Sequence, residues 1–152
     1  MKSLFSTRHS TATDTALLFA RVAIGAMMLV HGIPKLQMLL SGGQIQFPPV
    51  MGMSAQTSLA LAVFAEVVCS VFILIGLGTR IFTIPAIITM LVAVLVIHGA
   101  DPFEKKENAL HYLLVYVILL LAGAGRFSLD HFIQSRSAHH RKSRGKASVI
   151  PD

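Results

Sequence analysis

Two opposite charges, Arg21 and Glu66, stand inside apolar runs near membrane length, Thr15–Val30 and Thr57–Leu77. A charge at the bilayer centre costs about 2.5 to 3.5 kcal/mol on insertion scales, so such a residue pairs with an opposite charge or serves a pathway. One buried Arg21–Glu66 ion pair would meet that demand, and it is the pairing expected here. Such a pair also fixes how one helix docks on another, with or without chemistry attached. A second group of polar residues falls at the ends of apolar runs: His31, Lys35, His98, Glu107 and His111. His31 and Lys35 are four positions apart, as are Glu107 and His111, which puts each pair on one helical face. Imidazole titrates near physiological pH, so histidines beside a lysine and a carboxylate supply hydrogen-bond donors together with a proton relay.

The elements that must carry these residues are helices in lipid. The chain has 152 residues, of which 54% are hydrophobic and 13% charged, with a mean hydropathy of +0.70, too apolar for a soluble domain of this length. Four apolar runs stand out: Thr15–Val30, Thr57–Leu77, Ile81–Ile97 and Ala109–Ala124. About 20 residues cross the hydrocarbon core, and the shorter first and fourth runs each gain a turn from their flanks. The runs lack barrel alternation, so only helices can satisfy their backbone groups in lipid. The expected fold is all-α, an integral membrane four-helix bundle over residues 15–134. A short N-terminal segment (1–14) precedes it and a basic, disordered tail (135–152) follows.

Charge asymmetry sets the expected orientation. With four spans, one side holds Lys2, Arg8, Arg80, Arg126 and Arg136 together with the basic residues of the tail; the other holds Lys35, Lys105 and Lys106. The positive-inside rule then places both termini in the cytoplasm and gathers His31, Lys35, His98, Glu107 and His111 at the extracytoplasmic mouth. The basic tail reads as a topology signal that touches anionic headgroups, and nucleic acid is not an expected partner. Arg21 interrupts the first run and no small-x-small cleavage site follows, so the run is expected to be a retained helix.

Between the first two runs lies a long connection, Gly32–Gln56, containing Gly42-Gly43 and Pro48-Pro49. Its start continues the first helix past Pro34 and fails at Ser41-Gly42-Gly43. Such connections are often functional, and a slack linker has the same composition. Cys69 is the single thiol, so a dithiol relay within the chain is excluded, and its mid-helix position suits plain packing. Gly25 shares a helical face with Arg21 and allows close approach of another helix.

These residues together resemble the DoxX family of small bacterial inner-membrane proteins. The resemblance rests on Arg21, His31-Gly32 and Lys35, on Glu66, on Gly76-Leu77-x-Thr79-Arg80, and on His98, Glu107 and Gly123-x-Gly125-Arg126-Phe127-Ser128-Leu129-Asp130. It spans about Leu17 to Asp130. It implies a four-helix membrane protein of the bacterial inner membrane, in a family named from a subunit of a thiosulfate:quinone oxidoreductase, with other members associated with quinone or thiol stress. The closing motif more often carries Pro and Tyr where this chain has Ala124 and Phe127, so a tyrosine hydroxyl at the latter position is lost.

A quinone headgroup needs an apolar slot, donors at its two carbonyls and a nearby proton source. His31, His98 and Lys35 can donate, and Glu107 or His111 can relay protons. The sequence has no flavin or nucleotide fingerprint, so electrons must come from a soluble redox partner or a bound cofactor. The expectation is therefore a quinone-linked membrane subunit of a redox or detoxification system, not a self-sufficient oxidoreductase. Three alternatives stay open: the three histidines with Glu107 as a metal site, a proton-coupled transporter built on Glu66, and a non-catalytic scaffold for soluble redox enzymes. No metal is assigned, because the ligands would come from three helices with no compact spacing. The histidines also have a plain reading as interfacial residues, and Lys35 as a snorkelling one.

Overall fold

The computed structural model describes residues 11–136, whose regular elements are all helices, with no strand among them. Helix α1 runs over Thr11–Leu40, α2 over Ala55–Ile75, α3 over Thr79–Ile97 and α4 over Phe103–Ala122. Residues 129–136 are helical again, so Ser135 and Arg136 continue a helix where the tail is expected to begin. The remainder of that tail, 137–152, and residues 1–10 lie outside the described residues.

Helix α1 has 30 residues, about 45 Å at 1.5 Å per residue, which exceeds a hydrocarbon core of about 30 Å. It continues past Pro34 and stops at Leu40, before Ser41-Gly42-Gly43, as its sequence predicts. Helix α2 starts at Ser54, whose hydroxyl accepts the Thr57 N–H at 3.1 Å. It ends at Gly76 in the left-handed region (φ 74°), where the Leu77 N–H reaches back to the Phe72 carbonyl at 3.0 Å. Gly78, also left-handed, opens α3 after that tight turn.

Two stretches depart from α geometry. Phe64–Cys69 in α2 and Ala93–Ile97 in α3 are π-helical. Each adds a residue to the local turn and so shifts which side chains face the interior beyond it.

Helices α1 and α2 pack along one another, α2 packs on α3, α3 on α4, and α4 returns to α1. Leu17, Ile24, Met28, Ile73, Met90 and Leu119 form the interior with Tyr112 and Tyr116. A Cβ on Gly25 would stand 3.1 Å from the Ser70 carbonyl oxygen, and one on Gly32 3.0 Å from that of Glu66, so both glycines permit backbone contact between α1 and α2. The outside is apolar as well: Phe19, Val30, Ile81, Leu95 and Leu121 are exposed. Only 17% of the apolar stretch of α3 is buried within the molecule, so the rest must find another apolar medium.

By length and composition three helices, α1, α2 and α3, can cross a membrane. The run expected to be a fourth span folds as helix α4, which is not among those three: its first two turns carry Glu104, Lys105, Lys106 and Glu107, and His111, Tyr112 and Tyr116 follow. Those polar groups make α4 less apolar than the other three.

Candidate functional site

Arg21 and Glu66 are both buried, 0% and 4% exposed, but they do not pair with each other. The antiparallel register explains this correction. Arg21 on α1 lies level with Ile73 and Leu74 of α2, whereas Glu66 lies level with Gly32. Eleven residues separate Arg21 from Gly32, about 16 Å along a helix. Each charge therefore finds its own partners.

Glu66 forms a salt bridge through Oε1 with Lys35 Nζ, which reaches inward from α1 instead of snorkelling. Lys35 also stands 5.9 Å from the centre of the Phe47 ring in the 41–54 connection. The other carboxylate oxygen, Oε2, is buried with no hydrogen-bond partner among the described residues.

Arg21 instead locks the opposite end of the molecule. Its Nη1 donates to the carbonyls of Ile73 and Leu74 at 3.4 Å each, in the last turn of α2, where carbonyls lack helical donors. Its Nη2 donates to the Phe127 carbonyl. The Asp130 carboxylate accepts the Gly78 N–H at 2.9 and 3.0 Å, and buried Asp14 accepts the Arg126 N–H at 3.0 Å. The segments Gly76–Arg80 and Gly123–Asp130, far apart in sequence, thus meet around one guanidinium. Because Phe127 contributes its backbone carbonyl, the hydroxyl lost by having Phe in place of Tyr is not needed for this bond.

Beside the Lys35–Glu66 pair lies a polar cavity of about 210 Å3. Of the residues singled out in the sequence, His31, Lys35, Glu66 and His98 line it. Glu107 and His111 do not; both are exposed on the outside of α4. Their helical faces turn outward because α4 presents Asn108 and Tyr112, one residue further on from each, to the cavity. The His31 ring meets Tyr112 edge-on at 5.7 Å, and Tyr112 stacks towards Tyr116 at 6.4 Å. Sequence reasoning missed Asn108 and Tyr112. The signal was present as Asn108, Tyr112 and Tyr116, a polar stripe with four-residue spacing on an otherwise apolar helix.

His98 closes α3 and shares its Nδ1 with the Asp101 carboxylate at 2.8 Å. This hydrogen bond, with the charges of Lys105, His98 and Lys106, outweighs desolvation and holds the Asp101 carboxyl below its ordinary range. Lys106 donates to the Gly99 carbonyl at 2.8 Å, so the short 98–102 connection is tied on both sides.

A second cavity, about 350 Å3 and mostly apolar, adjoins the first. Lys35, Glu66, Ala93 and His98 line both. The 41–54 connection forms one wall of the second cavity through Phe47, Pro48, Val50, Met51 and Met53. It is no slack linker: the Val50 N–H donates to Ser58 Oγ at 3.0 Å, and Met53 N–H to the Val50 carbonyl at 3.0 Å. The two π-helical stretches border these cavities, one supplying Glu66 and the other Ala93 and Ile97. Among the described residues no group of three or more His, Cys, Asp or Glu side chains is arranged to hold a metal ion, so the metal alternative gains no support.

The fold and the site define a multi-pass helical membrane protein with a polar pocket between its helices. The DoxX family pattern matches residues 16–99, more than half of the chain, and the protein belongs to the DoxX family. It is 30% identical over 132 residues to "Uncharacterized membrane protein Rv3486" of Mycobacterium tuberculosis (strain ATCC 25618 / H37Rv), covering 77% of this chain and 80% of that one. It is also 30% identical over 121 residues to "Putative oxidoreductase CatD" of Bacillus subtilis (strain 168), covering 79% of this chain and 88% of the relative. No solved structure matches the chain.

Proposed function

We propose that this protein is a quinone-binding membrane subunit of a redox or detoxification system in the bacterial inner membrane. In this reading α4 completes a four-helix bundle with both termini in the cytoplasm, and the polar cavity opens on the other side. The observation that carries the proposal is the junction of a polar and an apolar cavity at Lys35, Glu66 and His98. A lipid-soluble ring with two carbonyls needs that combination. Lys35 and the Tyr112 hydroxyl can donate to one carbonyl, and His98 or His31 to the other. Glu66 can accept from the hydroxyl that forms when the ring is reduced. The name of the Bacillus subtilis relative, an oxidoreductase, agrees with redox work but does not specify a quinone.

Electrons come from outside this chain. The lone Cys69 is buried and the sequence offers no nucleotide fingerprint, so a soluble redox partner or a bound cofactor supplies them. A proton-coupled transporter fits less well. Glu66 already has a cation in Lys35, which a cationic substrate would have to displace.

The test is a titration of purified protein in nanodiscs with a quinone. Saturable binding that weakens at least about tenfold, or 1.4 kcal/mol, in His31→Ala and in His98→Ala is the expected result. Binding that is absent, or indifferent to both substitutions while circular dichroism shows folded protein, rejects the reading.

A further inference from the structure

The apolar cavity lies where a bilayer can reach it. Leu61 of α2 and Ile88 of α3 line it and are also 52% and 55% exposed on the outer surface of candidate spans. Ile97 and Met51 also line it and are exposed. Its deep wall is different in kind: Val50 and Ala62 are buried, 7% and 8% exposed. The cavity therefore runs from a lipid-facing opening to a buried floor, and its polar end is the Lys35–Glu66 pair, which belongs to both cavities.

The buried Glu66 Oε2, with no hydrogen-bond partner among the described residues, marks that polar end as a place for a donor. A buried carboxylate oxygen left without a hydrogen bond costs free energy, and a ligand hydroxyl would recover it. An occupant with only a polar head would leave the apolar floor uncovered. One with only a chain would leave the carboxylate unmet.

We infer that the apolar cavity is the tail-binding half of an amphipath site entered sideways from the bilayer between α2 and α3, with the ligand's head hydroxyl held at Glu66. The inference rests on the functional reading in placing a headgroup at Lys35–Glu66, and adds how the rest of the molecule is held and how it arrives. It takes any lipid-soluble hydroxyl-bearing ring with a hydrocarbon tail. The 41–54 connection serves as the inner wall of the tail channel, pinned to α2 at Ser58 and set beside the head site by the Phe47 ring near Lys35.

The probe is an alkylphenol carrying a diazirine midway along its chain, photolysed with the full-length protein in nanodiscs and mapped by mass spectrometry. Label is expected on buried Val50. It should fall about tenfold in Ala62→Phe, which fills the channel and removes the burial of a few methylenes. Val92→Phe, on the facing helix, fills the same space and guards against a misfolded first variant. Label confined to outward residues such as Leu61 and Ile88, or label on Val50 unchanged in both variants, overturns the inference. Because the probe is not a quinone, failure of quinone binding in the titration above leaves this result to be read independently.

Discussion

At the residue scale the molecule is organised by which charges meet. Glu66 is neutralised by Lys35 and not by Arg21, and that pair lines both cavities. Replacing Lys35 by Met would leave a buried carboxylate uncompensated. Removing one partner of a fully buried pair costs about 3 to 5 kcal/mol, and because Lys35 is 31% exposed the expected loss is about 2 to 3 kcal/mol. Denaturant unfolding in mixed micelles measures it, and a loss under about 0.5 kcal/mol, the size of an ordinary surface change, would mean that the pair does not hold α1 on α2. The sequence made both charges legible as residues too costly to stand alone in lipid. It could not give the partner, because pairing depends on the register of α1 against α2, which Gly25 and Gly32 set through backbone contacts. Likewise His31 and His98, singled out in the sequence, line the polar cavity, whereas Tyr112 lines it in place of its neighbour His111, since only the rotation of α4 decides which of two adjacent polar residues faces inward.

At the element scale, the turn between α2 and α3 and the segment Gly123–Asp130 form one lock around Arg21. Gly76 has φ 74°, and a Cβ there would fall on the Arg21 guanidinium. Gly76→Ala is therefore expected to cost at least about 2 kcal/mol, from left-handed strain of about 1 to 2 kcal/mol together with the displaced arginine. Phe127→Tyr, which leaves the carbonyl in place, should stay within about 0.5 kcal/mol of wild type. Thermal unfolding of the two variants side by side checks this, and equal effects would contradict the lock. The motifs themselves were plain in the sequence, but their convergence was not, because Phe127 acts through a backbone carbonyl that no side-chain pattern reports. The π-helical turns were equally invisible. Phe64–Cys69 and Ala93–Ile97 are continuous apolar runs apart from Glu66, and nothing in their composition distinguishes a π turn from an α turn.

At the scale of the whole molecule, helices α1, α2 and α3 declare themselves by hydropathy, whereas α4 must be judged by its packing on α3 and α1. If α4 crosses the bilayer, the 98–102 connection and residues after 130 lie on opposite sides. A cysteine at Ala100 should then react with a membrane-impermeant maleimide added outside intact cells, and one at Gln134 should react only after lysis. Reaction of both from one side would leave three spans and displace the proposed orientation. The binding claim rests on the described residues that line the two cavities. The measurement that tests it most directly is the quinone dissociation constant of His98→Ala set against that of His111→Ala, in nanodiscs, at matched helicity. At least about tenfold weaker binding is expected for His98→Ala, because His98 lines both cavities, and an unchanged constant for His111→Ala, because His111 lines neither. Equal effects of the two substitutions, or weaker binding only in His111→Ala, would contradict a quinone site at the Lys35–Glu66 pair.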